Sequence, residues 1–175
     1  MKSLLLLSNL VLALPLCAGV RGFTLETDVN APVDQVWRAW TTDAGVRSFF
    51  SPASRVEAVP DGPFEIWFDP KAEPGKRGAD GMRFLVIEPY RRIAFTWNAP
   101  MEFPEARKQR TRVTVTFTPL SDKSTHVILD HDGFGEGKEW DQVYDYFKKA
   151  WGDVVLPRLQ YRFEHGPIDW SKREE

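Results

Sequence analysis

EWDQVYDYFKKAWGDVVLPRLQYRF, residues 139–163, carries apolar side chains at helical spacing: Trp140, Val143, Tyr144, Phe147, Trp151, Val154, Val155, Leu159 and Phe163. So wide an apolar stripe predicts a long amphipathic helix that lies on something equally apolar. The two segments before it supply that surface. Arg110–Pro119 and Ser124–Asp132 alternate at period two, with Val113, Val115 and Phe117 on one face, then Val127 and Leu129. This is strand patterning, with one face buried. A long helix laid on a curved antiparallel sheet is a frame that can enclose a pocket. Pro157 interrupts the helical pattern and predicts a kink there, because proline lacks the N–H of the helical ladder.

Upstream, Phe23–Val29 reads as a first strand, with Phe23, Leu25, Thr27 and Val29 on one face. Asn30-Ala31-Pro32 then starts a helix with Val33, Val36, Trp37 and Trp40 on its apolar side, and proline suits a first turn. Thr41-Thr42-Asp43 breaks it, and Asp43 is positioned to cap a second short helix that runs to Phe49-Phe50. Ser54–Val59 and Phe64–Phe68 are strands about the turn Pro60-Asp61-Gly62-Pro63. Residues 69–81 are too polar for core and long for a hairpin, so a mobile loop is expected. Met82–Glu88 and Arg91–Trp97 form a hairpin about Pro89-Tyr90, and 98–108 is a second long connection. Gly133, Gly135 and Gly137 let the chain turn from sheet to helix. Gly166-Pro167 stops the helix, and Trp170 is expected to fold back on the body. The order is strand, two short helices, a run of antiparallel strands and a long helix. It predicts an α+β helix-grip fold with about six to seven strands wrapped on the C-terminal helix.

Hydrophobic residues make up 42% of the 175-residue chain and aromatics 13%, with seven Trp and twelve Phe, enough for a well-packed core. A formal charge of −2 gives no electrostatic case for nucleic acid. The basic run Arg107-Lys108-Gln109-Arg110-Thr111-Arg112 reads as a solvated loop and strand edge. Residues 1–19 read as a secretory signal peptide: Lys2, an apolar run from Leu4 to Leu16, then Cys17-Ala18-Gly19 for cleavage. The expectation is a periplasmic or secreted protein, residues 20–175 forming a single domain with no stable membrane anchor once the leader is cleaved. Leu16 stands where a small residue normally precedes a lipidated cysteine, which argues against a lipoprotein. A start codon assigned too early would instead leave a cytoplasmic protein. Cys17 is the only cysteine; once it is cleaved away, disulfide, thiolate and cysteine-metal chemistry go with it.

The candidate chemistry is sparse. His131 shares parity with Val127 and Leu129 and should face inward, as a polar anchor or general base or as a hydrogen-bonded structural histidine. Asp130 and Asp132 have the opposite parity, and His126 and His165 read as surface residues. The three histidines show no metal spacing, and no nucleophile elbow, P-loop or dinucleotide fingerprint appears, so no cofactor is expected. On the third strand Phe64, Ile66 and Phe68 are expected inside, with Glu65 outside. Candidate cavity-lining residues are Trp37, Phe64, Phe84, Phe95, Trp97, Phe117, Leu129, His131, Tyr144, Phe147 and Trp151. Each aromatic among them, like Trp40, reads equally as plain core.

Ala31-Pro32-Val33-Asp34-Gln35-Val36-Trp37-Arg38-Ala39-Trp40-Thr41-Thr42 resembles the opening helix of SRPBCC (START-like) proteins related to the activator of heat-shock protein 90 ATPase. Trp97-Asn98-Ala99-Pro100, Gln109-Arg110-Thr111, His131-Asp132-Gly133-Phe134-Gly135, Glu139-Trp140-Asp141 and Tyr146-Phe147-Lys148-Lys149-Ala150-Trp151 look like later motifs of a bacterial subgroup. The resemblance covers Phe23–Trp170 and implies the helix-grip fold. It leaves activity open, because that superfamily includes lipid carriers, hormone-binding proteins, aromatase-cyclases and co-chaperones. The first reading is an exported protein that binds a small apolar or amphipathic ligand between sheet and helix. The second is a cyclase- or hydrolase-type enzyme using His131 with a hydroxyl such as Tyr144 or Tyr146. The third is a co-chaperone-like interaction module, which a signal peptide disfavours because the heat-shock partner is cytosolic. The sequence identifies no protein partner.

Overall fold

In a computed structural model that describes residues 20–172, β1 (Gly22–Val29) pairs with β8 (Ser124–Asp132) along its whole length, from Gly22 opposite Asp132 to Val29 opposite Thr125. Residues 1–19, with the signal-peptide reading and Cys17, lie outside the described residues. β8 pairs in turn with β7 (Thr111–Ser121), then come β6 (Arg92–Trp97) and β5 (Phe84–Glu88), giving a five-stranded antiparallel sheet in the order β1-β8-β7-β6-β5. A second, three-stranded sheet holds β2 (Ala53–Val56), β3 (Phe64–Trp67) and β4 (Gly78–Ala79). The two sheets meet where Phe64 N–H donates to Met82 O (2.8 Å) and Phe84 N–H to Gly62 O (2.9 Å). The strand run is thus split five plus three, with β4 forming inside the segment read as a loop and adding a strand to the smaller sheet.

Alternation decides which face is buried. Val113, Val115, Phe117, Val127, Leu129 and His131 on β7 and β8 are all buried on one side, while Arg112, Thr114 and Asp130 face outward. The helices cover the apolar side. α1 (Val33–Thr41) buries Val36, Trp37 and Trp40. α2 (Asp43–Arg47) is capped by Thr42, whose hydroxyl accepts from Gly45 N–H at 3.0 Å, and not by Asp43. The Asp43 carboxylate instead accepts from Ser54 O–H and Val56 N–H, both at 2.9 Å, pinning α2 to β2. α3 is the short helix Pro104–Arg107.

The C-terminal helix runs from Lys138 to His165 in three parts: α4 (Lys138–Lys149), a π-helical turn (Ala150–Val155) and α5 (Leu156–His165). In the π turn Leu156 N–H reaches back five residues to Trp151 O. Proline at 157 explains it. The residue has no N–H to offer and its ring needs room at the carbonyl four residues earlier, so the helix widens by a residue before it and continues. Val143, Phe147, Trp151, Val155 and Leu159 form the stripe that seats on the sheet. Trp151 is 1% exposed, as the helical pattern requires. Gly133 (φ 86°) and Gly137 (φ 99°) supply the left-handed turns between β8 and α4. Beyond α5, Trp170 folds back and donates to Arg47 O at 2.6 Å.

Two local expectations need correction. Phe68 is 50% exposed: β3 ends at Trp67, so the alternation that buries Phe64 and Ile66 stops before Phe68. Residues 69–81 are also tied down rather than loose. The Arg77 Nε–H donates to Asp80 Oδ1 at 2.7 Å, the guanidinium lies 3.9 Å from the Trp67 ring, and Glu65 accepts from Gly81 N–H at 2.6 Å. Among the described residues, no helix is long and apolar enough to cross a membrane.

Candidate functional site

An open cleft of about 340 Å³ lies where three pieces of chain converge: Trp97–Glu102 after β6, the ends of the loop between β3 and β4, and the helix from Tyr146 to Val155. Phe50, Phe68, Trp97, Tyr146, Phe147 and Trp151 supply the rings of its wall. Trp97 and Trp151 meet at 5.4 Å between ring centroids. Phe50 stacks on Trp97 (5.9 Å, 20° between planes) and meets Trp151 edge-on at 5.4 Å. Both indoles are nearly fully buried, 3% and 1% exposed, so each turns only an edge or part of a face to the cleft.

One hydrogen-bonded chain fixes both tryptophans from behind. Trp151 Nε1–H donates to His131 Nδ1 at 3.0 Å. That assigns the proton of the neutral ring to Nε2, which lies 2.8 Å from Thr111 Oγ1 and donates to it. The Thr111 hydroxyl then donates to the Trp97 carbonyl at 3.3 Å. His131 is wholly buried between Phe134 and Phe147, and burial pushes its imidazole down to about 3. It is therefore neutral near pH 7, with both nitrogens engaged by the protein. A general base needs a free, titrating nitrogen within reach of substrate. His131 is instead the brace behind the cleft.

Polar groups sit on the rim. Asn98, 5% exposed, donates through Nδ2 to Gly78 O at 3.3 Å. The Arg107 guanidinium donates to three backbone carbonyls: Ala99 O, Gly75 O (3.1 Å) and Gly78 O (3.0 Å). Burial, and then repulsion from Arg110, pushes its pKa down, while Asp80 and Glu102 pull the other way. The Tyr146 phenol is raised by burial and by Glu102, so it stays protonated as a donor.

Of the candidate lining residues, the fold brings Trp97, Phe147 and Trp151 into the cleft wall. The others lie elsewhere. Phe64, Phe84 and Phe95 pack on one another, with Phe64 and Phe95 only 4.1 Å apart between centroids. Trp37 contacts Phe117 at 5.6 Å and Tyr90 at 5.8 Å, away from the cleft residues. Leu129 is core. Tyr144 packs edge-on against Phe23, its hydroxyl 3.3 Å from Gly22 O. Phe50, Phe68, Asn98 and Arg107 were not among the candidates, and Tyr146 figured only as a possible catalytic hydroxyl. The one sequence signal for the rim was the polar Asn98 directly after the apolar strand end Phe95-Thr96-Trp97. Arg107 does not belong to a solvated run as expected, because α3 turns it inward. His126 and His165 are at the surface, the former 2.6 Å from Asp28 Oδ1. Among the described residues no group of three or more His, Cys, Asp or Glu side chains is placed to hold a metal.

A helix gripped by an antiparallel sheet, with two short helices after the first strand, defines an SRPBCC-type, START-like domain. Residues 30–164 match the family model for activator of Hsp90 ATPase homolog 1-like proteins, and the chain belongs to that family. No curated protein sequence matches it. Among solved structures it is similar to protein MLL2253 from Mesorhizobium loti, at 21% identity and TM-score 0.66 over 85% of this chain and 100% of that one. It is also similar to PFC0360w, an Hsp90 activator from Plasmodium falciparum (18%, TM-score 0.62, 86% and 99%). A third likeness is to CalU16 from Micromonospora echinospora (19%, TM-score 0.61, 87% and 79%). At these identities the likeness concerns the fold alone.

Proposed function

We propose that this protein binds a small hydrophobic or amphipathic molecule in the cleft between the Trp97 strand end and the C-terminal helix, and that it does so outside the cytoplasm. The observation behind this is the brace: a chain of hydrogen bonds through His131 and Thr111 fixes the Trp151 indole and the Trp97 backbone carbonyl, and the Trp97 ring is held by packing on Phe50 and Trp151. A preorganised aromatic wall binds without first having to order its side chains. The volume, about 340 Å³, is at the small end of ligand sites, so one or two fused rings or a short chain is the expected size. Binding rather than turnover is favoured because the buried histidine is committed to the scaffold. The extracytoplasmic location rests on the leader pattern of residues 1–19.

Native mass spectrometry of protein purified from its own host tests the reading. A retained small molecule, displaced when Ala150→Phe fills the cleft, is the expected result. Chemical conversion of that molecule by the purified protein would replace this reading with the enzyme.

A further inference from the structure

Arg107 is not fully explained by holding the cleft together. Among the described residues its hydrogen bonds all end on neutral backbone carbonyls, and no carboxylate touches it. The other charges around the cleft are committed: Lys76 to Glu73 at 2.9 Å, Arg77 to Asp80 at 2.7 Å, and the Asp69 carboxylate to Lys71 N–H at 3.0 Å. Asp80, bonded to Arg77, and Glu102, at the exposed rim, act on Arg107 only through space. A half-buried guanidinium with no carboxylate in direct contact is an arrangement that a bound anion would improve. The carbonyl bonds leave guanidinium N–H groups over, and the planar fork suits an oxyanion. Asn98 has a second amide hydrogen beside it, since its one bond, to Gly78 O, uses only one. Gly78 O ties the two together, because it accepts from both Asn98 and Arg107.

We infer that the cleft takes a singly charged anionic amphiphile, its apolar body against Trp97 and Trp151 and its carboxylate or other oxyanion on Arg107 and Asn98. This rests on the cleft being the binding site. It adds a charge requirement that the aromatic walls alone do not impose. A neutral molecule of the same shape would leave the guanidinium uncompensated and bind more weakly.

The test uses the purified protein and two fluorescent probes with the same ring system: anilinonaphthalene sulfonate, an anion, and phenylnaphthylamine, which lacks the sulfonate. The anion should bind tighter by roughly 10-fold or more, the scale of one charge-assisted hydrogen bond. Rising salt should weaken the anion and leave the neutral probe unchanged. Arg107→Gln should bring the anion down to the level of the neutral probe. Equal affinities in the unaltered protein overturn the anion inference without needing any variant that could misfold. An anion preference that survives in folded Arg107→Gln overturns it too. Ala150→Phe distinguishes loss of the cleft as a binding site from loss of the charge requirement alone. If both probes bind it as before, they sit outside the cleft and the binding reading itself fails. If it blocks both probes while the unaltered protein does not discriminate between them, the cleft stands and only the anion requirement falls.

Discussion

Replacing His131 with leucine should destabilise the protein in a way that fades as pH falls. At pH 7.5 the change leaves Trp151 Nε1–H, now bonded at 3.0 Å, as a buried donor with no partner. It also removes the donor to Thr111 Oγ1. An orphaned buried donor costs about 1–3 kcal/mol, so a loss of roughly 2–3 kcal/mol is expected with the small shape mismatch included. Titration of His131 itself works the other way. Burial lowers the folded imidazole from 6.5 to about 3, so between those values the unfolded chain binds a proton that the folded protein does not. This contribution is fully present above pH 6.5 and is lost as pH falls, at up to about 1.4 kcal/mol per unit. The leucine variant has no such loss. The gap between the two proteins should therefore close over about two pH units below 6.5, near pH 4.5. His126 carries the opposite sign: its hydrogen bond to Asp28 raises its pKa, so its contribution is present at low pH and lost as pH rises. Both proteins share it, so it cancels in the difference. Urea unfolding at a series of pH values measures the gap. A gap that stays constant from about pH 7.5 to 4.5 would show that His131 titrates alike in folded and unfolded chains, and the buried-brace account would be wrong.

Trp151→Ala should cost roughly 3–5 kcal/mol in the same assay, since the ring is buried between helix and sheet. A loss under about 1 kcal/mol would mean that this helix does not cover the sheet. Gly135→Ala should destabilise by about 1–3 kcal/mol, because its Cβ would fall 2.4 Å from Trp140 Nε1; unchanged stability would mean the turn before α4 has room that its geometry denies. N-terminal sequencing of the exported fraction should find a mature start near Val20, whereas intact Met1 in the soluble cytosol would remove the extracytoplasmic assignment.

The elements were legible wherever burial imposes a period. β7, β8 and the C-terminal helix each bury one face, so Val113, Val115, Phe117 and Trp151 announce their positions through spacing alone. Short-range contests were harder. Thr42 and Asp43 are both good capping residues, and only the Ser54 and Val56 contacts decide that Asp43 faces β2 and leaves the cap to Thr42. β4 has two residues and no pattern of its own; its pairing with β3 makes it a strand. At Pro157 the sequence indicated a disturbed helical ladder but not its form, because a kink and a π turn both relieve a missing N–H.

The site was less visible than the fold, for a reason that applies to any aromatic-rich frame of this kind. A ring that lines a cavity and a ring that fills a core obey the same rule, to point inward, so period-two alternation selects both. What separates them is whether another side chain occupies the space in front. Phe64, Phe84 and Phe95 fill one another's space, and that end of the interior is packed. Trp97 and Trp151 differ because each also borders the open cleft, together with Ala99 and Pro100. The polar half of the site was hidden differently. Arg107, Asn98 and Gly78 come from a short helix, a strand end and a two-residue strand, and they meet only through tertiary structure at a shared carbonyl. His131 was legible as inward-facing, but its role depends on what meets its two nitrogens. With an indole N–H on one and a threonine hydroxyl on the other, the residue that looked most like chemistry is the one that keeps the cleft wall still.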